Sequence, residues 1–452
     1  MGQGISGRAC ADCCSAWVMM LLHPGRIVCC FLALTLVACG EGEPTGAGGE
    51  PWQGTSVTEG EVTTVRTEGG SVWQGTAKLV EELSIGEEIG DEPYMLGRIS
   101  AVAATDKRIY ALDAQVPIVR VYDQEGSHVL DIGRGGQGPG EFERPTFLAL
   151  DRIGNVFVLG QGEIEIFSPD GESITTWSLE AVNVFAWFNT ANVGLDSTVY
   201  VPVVLEREGM NPGVWQLGYA EIREGQEGVT RPLPELDYEA PVVEMVSRTE
   251  EYVAVASISP AFIPRRAWAI SPHGSIVAGS GDRYRLKVHH ADDMAMVLEM
   301  AWNQVPVENA EGDWYRDLLR ADVEDVDEVS GWDPASRLPS HKPAFEQLVP
   351  DSSGRIWVIR SGPGIRLTEC NEDPSDADEF REQPCWHDSV LIDVFDEQGR
   401  YLGPVEAPSE FSGLTPRIIQ PRPFIRDDVM IAAVEDELGT IRVKRYRLVL
   451  PH

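Results

Sequence analysis

One unit returns six times along this chain, and any fold proposed for it must use that unit six times. Each copy is a polar turn carrying Asp or Gly, followed by a short strand of β-branched and aromatic residues. The copies occupy residues 106–112, 151–158, 196–201, 272–278, 351–358 and, most weakly, 427–432. A second strand follows in several of them, at 119–126, 164–171 and 391–399. There apolar and polar residues alternate and the run closes in a D-x-x-G-like turn, the signature of an antiparallel β-meander.

Centring the units on Ile109, Val156, Val199, Ile276, Ile356 and Met430 gives intervals of 47, 43, 77, 80 and 74 residues. A four-stranded propeller blade needs roughly 40–50 residues, so the last three intervals hold insertions. Six radial sheets that close on themselves leave few exposed edges. The expected fold is therefore all-β: a six-bladed β-propeller of four-stranded antiparallel blades, with loop and helix insertions in the later blades. The strand Ala77–Ile85 precedes the first unit and is expected to complete the last blade and latch the ring. Seven blades are the alternative if residues 252–257 form a blade of their own.

Between the first two units lies Ile132-Gly133-Arg134-Gly135-Gly136-Gln137-Gly138-Pro139-Gly140-Glu141-Phe142-Glu143-Arg144-Pro145. It resembles the blade linker of NHL-type six-bladed β-propellers, a likeness that covers about residues 97 to 177. The whole arrangement resembles lipid-anchored six-bladed propellers of bacteria. That resemblance implies a fold and hardly a function. Gly133, Gly135 and Gly138 also satisfy G-x-G-x-x-G. A dinucleotide site would need a helix next, and Pro139-Gly140 followed by another strand argues for a linker.

The N-terminus sets the compartment. Arg8 and Arg26 precede an uncharged apolar run from Ile27 to Ala38, too short to span a bilayer but suited to a signal peptide. It ends in Leu36-Val37-Ala38-Cys39-Gly40, which resembles the bacterial lipobox. Residues 1–38 are read as a lipoprotein signal peptide, Cys39 as the lipidation site, 39–76 as a flexible tether and 77–452 as the propeller. This places the protein in the cell envelope, lipid-anchored, on a periplasmic or outer-membrane face. Of eight Cys, only Cys370 and Cys385 follow Cys39. In an oxidising compartment they are expected to form a disulfide that staples a polar insertion.

Charge narrows the partners. The chain has 36 basic and 72 acidic residues, a formal net charge of −36. Nucleic acid is excluded as a partner, since binding a polyanion needs a surplus of Lys and Arg. Electrostatic docking on anionic lipid is equally disfavoured, so any membrane attachment rests on the lipid anchor. A monomer is expected.

No catalytic constellation stands out. The eight His form no H-E-x-x-H, and no G-x-S-x-G elbow exists. Acidic clusters at 322–328 and at Asp373, Asp376, Asp378 and Glu379 lack EF-hand spacing, which leaves Ca²⁺ a weak option and no other cofactor expected. Tyr315, Leu318, Leu319, Val323 and Val326 fall at helical spacing, so the first cluster reads as the wet face of an inserted helix. Basic and aromatic residues entering the later blades (Arg265, Tyr284, Arg285, His341 and Lys342) are candidates for a channel-mouth patch holding an anionic or carbohydrate ligand. The leading reading is a non-enzymatic ligand- or protein-binding module. The alternative is a metal-dependent lactonase of the gluconolactonase-like type, whose cation is held by Glu, Asn and Asp from different blades.

Overall fold

A computed structural model of the chain describes residues 49–451 except 161, 180–190, 207–215, 227, 249–252, 291–293, 325, 369, 371–384, 413–420 and 437–438. The N-terminal strands are β1 (Gln53–Glu59), β2 (Val62–Gly69) and β3 (Ala77–Ile85). Blade I is β4 (Ile99–Ala104), β5 (Arg108–Asp113), β6 (Ile118–Asp123) and β7 (His128–Ile132). Blade II is β8 (Phe147–Leu150), β9 (Val156–Leu159), β10 (Glu163–Phe167) and β11 (Ser173–Ser178). Blade III is β12 (Asn192–Val193), β13 (Val199–Glu206), β14 (Gln216–Ile222) and β15 (Val229–Pro232).

An accessory hairpin, β16 (Val243–Arg248) and β17 (Val253–Ile258), precedes blade IV. That blade is β18 (Ala267–Ile270), β19 (Ile276–Gly279), β20 (Arg285–His289) and β21 (Ala295–Met300). The helix α1 (Asn309–Val323) and the strand β22 (Glu328–Gly331) come next. Blade V is β23 (Gln347–Pro350), β24 (Ile356–Arg366), β25 (Trp386–Phe395) and β26 (Tyr401–Glu406). Blade VI is β27 (Phe424–Arg426), β28 (Val429–Glu435) and β29 (Ile441–Val449), with β3 as its outer strand. The second strands β5, β9, β13, β19, β24 and β28 carry the six residues on which the repeat was centred.

The turns explain the motif. In the Asp351 turn, the carboxylate accepts the amides of Ser353 and Arg355, and Gly354 takes a φ of +79° that other residues avoid. Asp151, Asp396 and Asp123 cap their turns the same way. Ser271 and Ser168 do so with a hydroxyl.

Among the described residues the core is not one cluster but seven, one in each of the six seams between neighbouring blades and a seventh beneath α1. Period-2 alternation feeds two seams from one strand: Val156 and Val158 face blade I, whereas Phe157 and Leu159 face blade III. This corrects the simplest reading of the alternating strands. Their polar positions do not face water: Arg120, Glu165 and Asp393 are buried at equivalent places on β6, β10 and β25. Sheets packed on both faces have no wet side, so each polar group must find a partner. Asp393 accepts from the Tyr284 hydroxyl at 2.9 Å, Arg360 at 3.0 Å and the Tyr401 hydroxyl at 2.6 Å.

The ring closes as expected, with β3 pairing antiparallel to β29 from Lys78 to Ile85. Much of the spacer does not behave as expected. Residues 53–69 form a hairpin whose second strand adds parallel to β21, with Val65 buried and Trp52 donating to the Thr67 hydroxyl at 3.1 Å. The amides of Val72 and Trp73 then bond to Tyr401 and Leu402, carrying the chain along the outer edges of blades IV, V and VI. Thr and Val in alternation supplied the strand that the Gly and Glu content masked. Residues 253–258 pair with β16, and β16 with β22, in a sheet outside the ring, so the blades number six among the described residues. The signal peptide and Cys39 lie outside the described residues. No helix among the described residues is long and apolar enough to cross a membrane.

Candidate functional site

The innermost strands β4, β8, β12, β18, β23 and β27 surround a central channel with a cavity of about 760 Å³, lined by residues from all six blades. Its two mouths differ in chemistry. At one, each inner strand turns into its neighbour, and every seam is tied there by a polar contact. Arg108 reaches Asp170 at 3.0 Å between blades I and II, and the Ser197 hydroxyl reaches Asp151 at 3.2 Å between II and III. The Leu195 amide bonds to Pro272 at 3.0 Å, and the His273 ring meets the Ser352 carbonyl at 3.1 Å. Arg355 pairs with Asp428 at 3.2 Å, and Arg426 pairs with Asp106 to complete the circle.

The opposite mouth, where the chain enters each inner strand, receives every large insertion. The β16–β17–β22 sheet and α1 lie in connections between successive blades, and the disulfide loop joins β24 to β25 on that same side. Arg98, Arg144, Arg266 and Arg422 stand just before β4, β8, β18 and β27. None of the four side chains has an ion-pair or hydrogen-bond partner among the described residues. Arg422 lines the cavity, and its Nε is shut off from solvent with no hydrogen-bond partner. Burial alone pushes its guanidinium down to about 10. Surrounding protein lowers Arg266 in the same direction, although that side chain is exposed and does not line the cavity.

The residues singled out from sequence do not gather at this cavity. Tyr284 and Arg285 line a separate outer pocket beside Trp302, where Arg285 meets Glu299 at 3.3 Å and Asp237 at 3.1 Å. Burial first, and the Asp393 carboxylate second, hold the Tyr284 phenol well above its ordinary value, so it moves no proton near neutrality. Arg265 is exposed and donates to the Ser259 carbonyl, and His341 is exposed against the Ser340 hydroxyl. Lys342 is 3% exposed, paired with Glu311 at 2.7 Å and with Asp388. It pins α1 to blade V and leaves no charge for a ligand.

Sequence reasoning singled out Arg265 and Lys342 and passed over Arg422, which lines the cavity. Only the pattern of carboxylate partners separates them, and that pattern is long-range.

Cys370 and Cys385 form the expected disulfide, with Cα atoms 4.9 Å apart. Cys385 lies against the Phe262, Trp314, Tyr315 and Trp386 cluster beneath α1. The G-x-G-x-x-G segment is a linker: Phe142 is buried against Gly133, whose φ of +71° and lack of Cβ leave room for the ring. The acidic residues at 373–379 lie outside the described residues. Among the described residues no three His, Cys, Asp or Glu side chains converge as metal ligands. Of the four carboxylates at the cavity, Asp151 holds turn amides, Asp106 and Asp170 hold arginines, and Asp427 stands 3.5 Å from the Ser353 hydroxyl and 3.9 Å from Arg426.

No curated protein matches the chain. Among solved structures it is similar to a member of the DUF4221 family from Bacteroides vulgatus, at 12% identity over 83% of this chain and 99% of that one, with a TM-score of 0.45. It is also similar to virginiamycin B lyase from Staphylococcus aureus, at 10% identity over 83% and 100% of the two chains, TM-score 0.38. A third is the calcium-binding protein regucalcin from Agrobacterium tumefaciens, at 10% identity over 85% and 95%, TM-score 0.33. A family model described as a 6-bladed beta-propeller matches residues 91–195, the stretch that holds blades I and II.

Proposed function

We propose that this protein is an envelope propeller, exported by residues 1–38 and anchored through lipid on Cys39, that binds a ligand in its central channel without chemically changing it. The observation that carries the reading is the contrast between the two mouths. At one, the blades are tied to each other seam by seam; the other is elaborated by insertions and holds Arg422, which lines the cavity without a side-chain partner among the described residues. A cavity of about 760 Å³ falls in the range that holds a small ligand or a short protruding segment of a partner. Chemistry would need a base, a nucleophile or a metal facing that space, and the channel's described carboxylates are already engaged in turns and seams.

The test is to narrow the channel and follow whatever the native protein carries. Ala149 lines it, half-buried against the seam between blades II and III, so Ala149→Phe narrows the channel and its melting temperature is compared with wild type to show that the fold persists. The full chain extracted from envelope in detergent should release one small molecule or retain one partner protein, and Ala149→Phe should lose it. Equal recovery from both proteins would place the interaction elsewhere. The rival metal-dependent lactonase is tested by metal analysis of the dialysed protein. Stoichiometric Ca²⁺ or Zn²⁺ would favour it over the binding module.

A further inference from the structure

We infer that the channel ligand is a small anion with an apolar body, its acidic head held by Arg422. This rests on the channel being the binding site and names what it takes. With twice as many acidic as basic residues, carboxylate partners are abundant on this surface. An arginine with no partner at the end of a cavity is therefore placed where the fold could easily have paired it. A planar guanidinium presents a fork that a carboxylate, sulfonate or phosphate fills with two hydrogen bonds.

Net charge limits the size of that anion. At −36 the molecule repels polyanions at long range, whereas a singly charged ligand loses little on approach and gains the local cation once inside. The walls define the rest of the ligand. Phe147 and Leu148 from β8, Val193 from β12, Val349 from β23 and Phe424 and Ile425 from β27 give the cavity apolar wall on the inner strands. Its other charged groups, on Asp106–Arg108, Asp151, Arg152, Asp170, Arg426 and Asp427, lie at the tied mouth. An acid head alone would leave those walls wet, and a neutral apolar molecule would leave the guanidinium unpaired.

Isothermal titration of the full chain in nonionic detergent, with detergent blanks, separates these terms. The probes are 4-phenylbutyrate (head and body), acetate (head only), 4-phenylbutanol (body only) and heparin (polyanion). The expected result is saturable 4-phenylbutyrate binding, with each of the other three at least tenfold weaker. Arg422→Met should weaken 4-phenylbutyrate at least tenfold, and Arg422→Lys by less. Lys78→Met, on the outer strand β3 and away from the cavity, should leave it unchanged. Equal binding by wild type and a folded Arg422→Met would overturn the inference, as would no binding of 4-phenylbutyrate or a preference for 4-phenylbutanol. None of these results touches the channel reading, which the Ala149→Phe experiment decides on the native ligand.

Discussion

At the scale of single residues, the molecule distinguishes cations paired within the fold from a cation left without a side-chain partner among the described residues at the channel. Lys342 belongs to the first kind. It is enclosed with Glu311 and Asp388 beneath α1, and removing it would strand two buried carboxylates. Lys342→Ala is therefore expected to cost about 3–5 kcal/mol, measured by denaturant unfolding. Glu311 carries the opposite prediction. Burial chiefly, with Asp388 adding, raises its carboxyl above the ordinary value although Lys342 pulls the other way. A raised carboxyl contributes stability that is complete below the unfolded pKa and is lost as pH climbs through the folded one. Glu311→Gln should thus melt at or above the wild-type temperature near pH 7, with the difference closing towards pH 4.

At the scale of elements, the six second strands, the latch and the inserted helix were legible in the sequence, because each rests on local periodicity. The helix at 309–323 buries Trp314, Tyr315 and Leu319 on one face, as helical spacing required. The β1–β2 hairpin was not legible: its exposed Thr and Ser read as spacer, and only β21, more than two hundred residues away, gives it an edge to join. For the same reason Arg422 was not singled out from the sequence. That Lys342 is neutralised and Arg422 is not depends on α1 and β25, which sequence cannot place beside them. The disulfide was legible by elimination. In the chain-entropy model its loss by Cys370→Ser with Cys385→Ser costs roughly 3 kcal/mol. The double variant should melt lower than the oxidised wild type and no differently from the reduced one.

At the scale of the whole molecule, twofold acidic excess and a ring of six seams give one surface two unlike ends. Turns capped by Asp and Ser, with arginines reaching across, close the ring at one end. The other end gathers the insertions and keeps four arginines without carboxylates. A cation desolvated without a partner weakens the empty fold, and such a cost persists where binding needs it. The most direct test is the melting temperature of ligand-free wild type against Arg422→Met. Arg422 is held at about 10, below its ordinary value, so its charged form is penalised throughout the neutral range. Removing it should stabilise the empty protein by about 1–3 kcal/mol, a rise of a few degrees. A variant that melts lower than wild type would mean that Arg422 is paired within the fold, and the channel would lose the cation on which its ligand assignment stands.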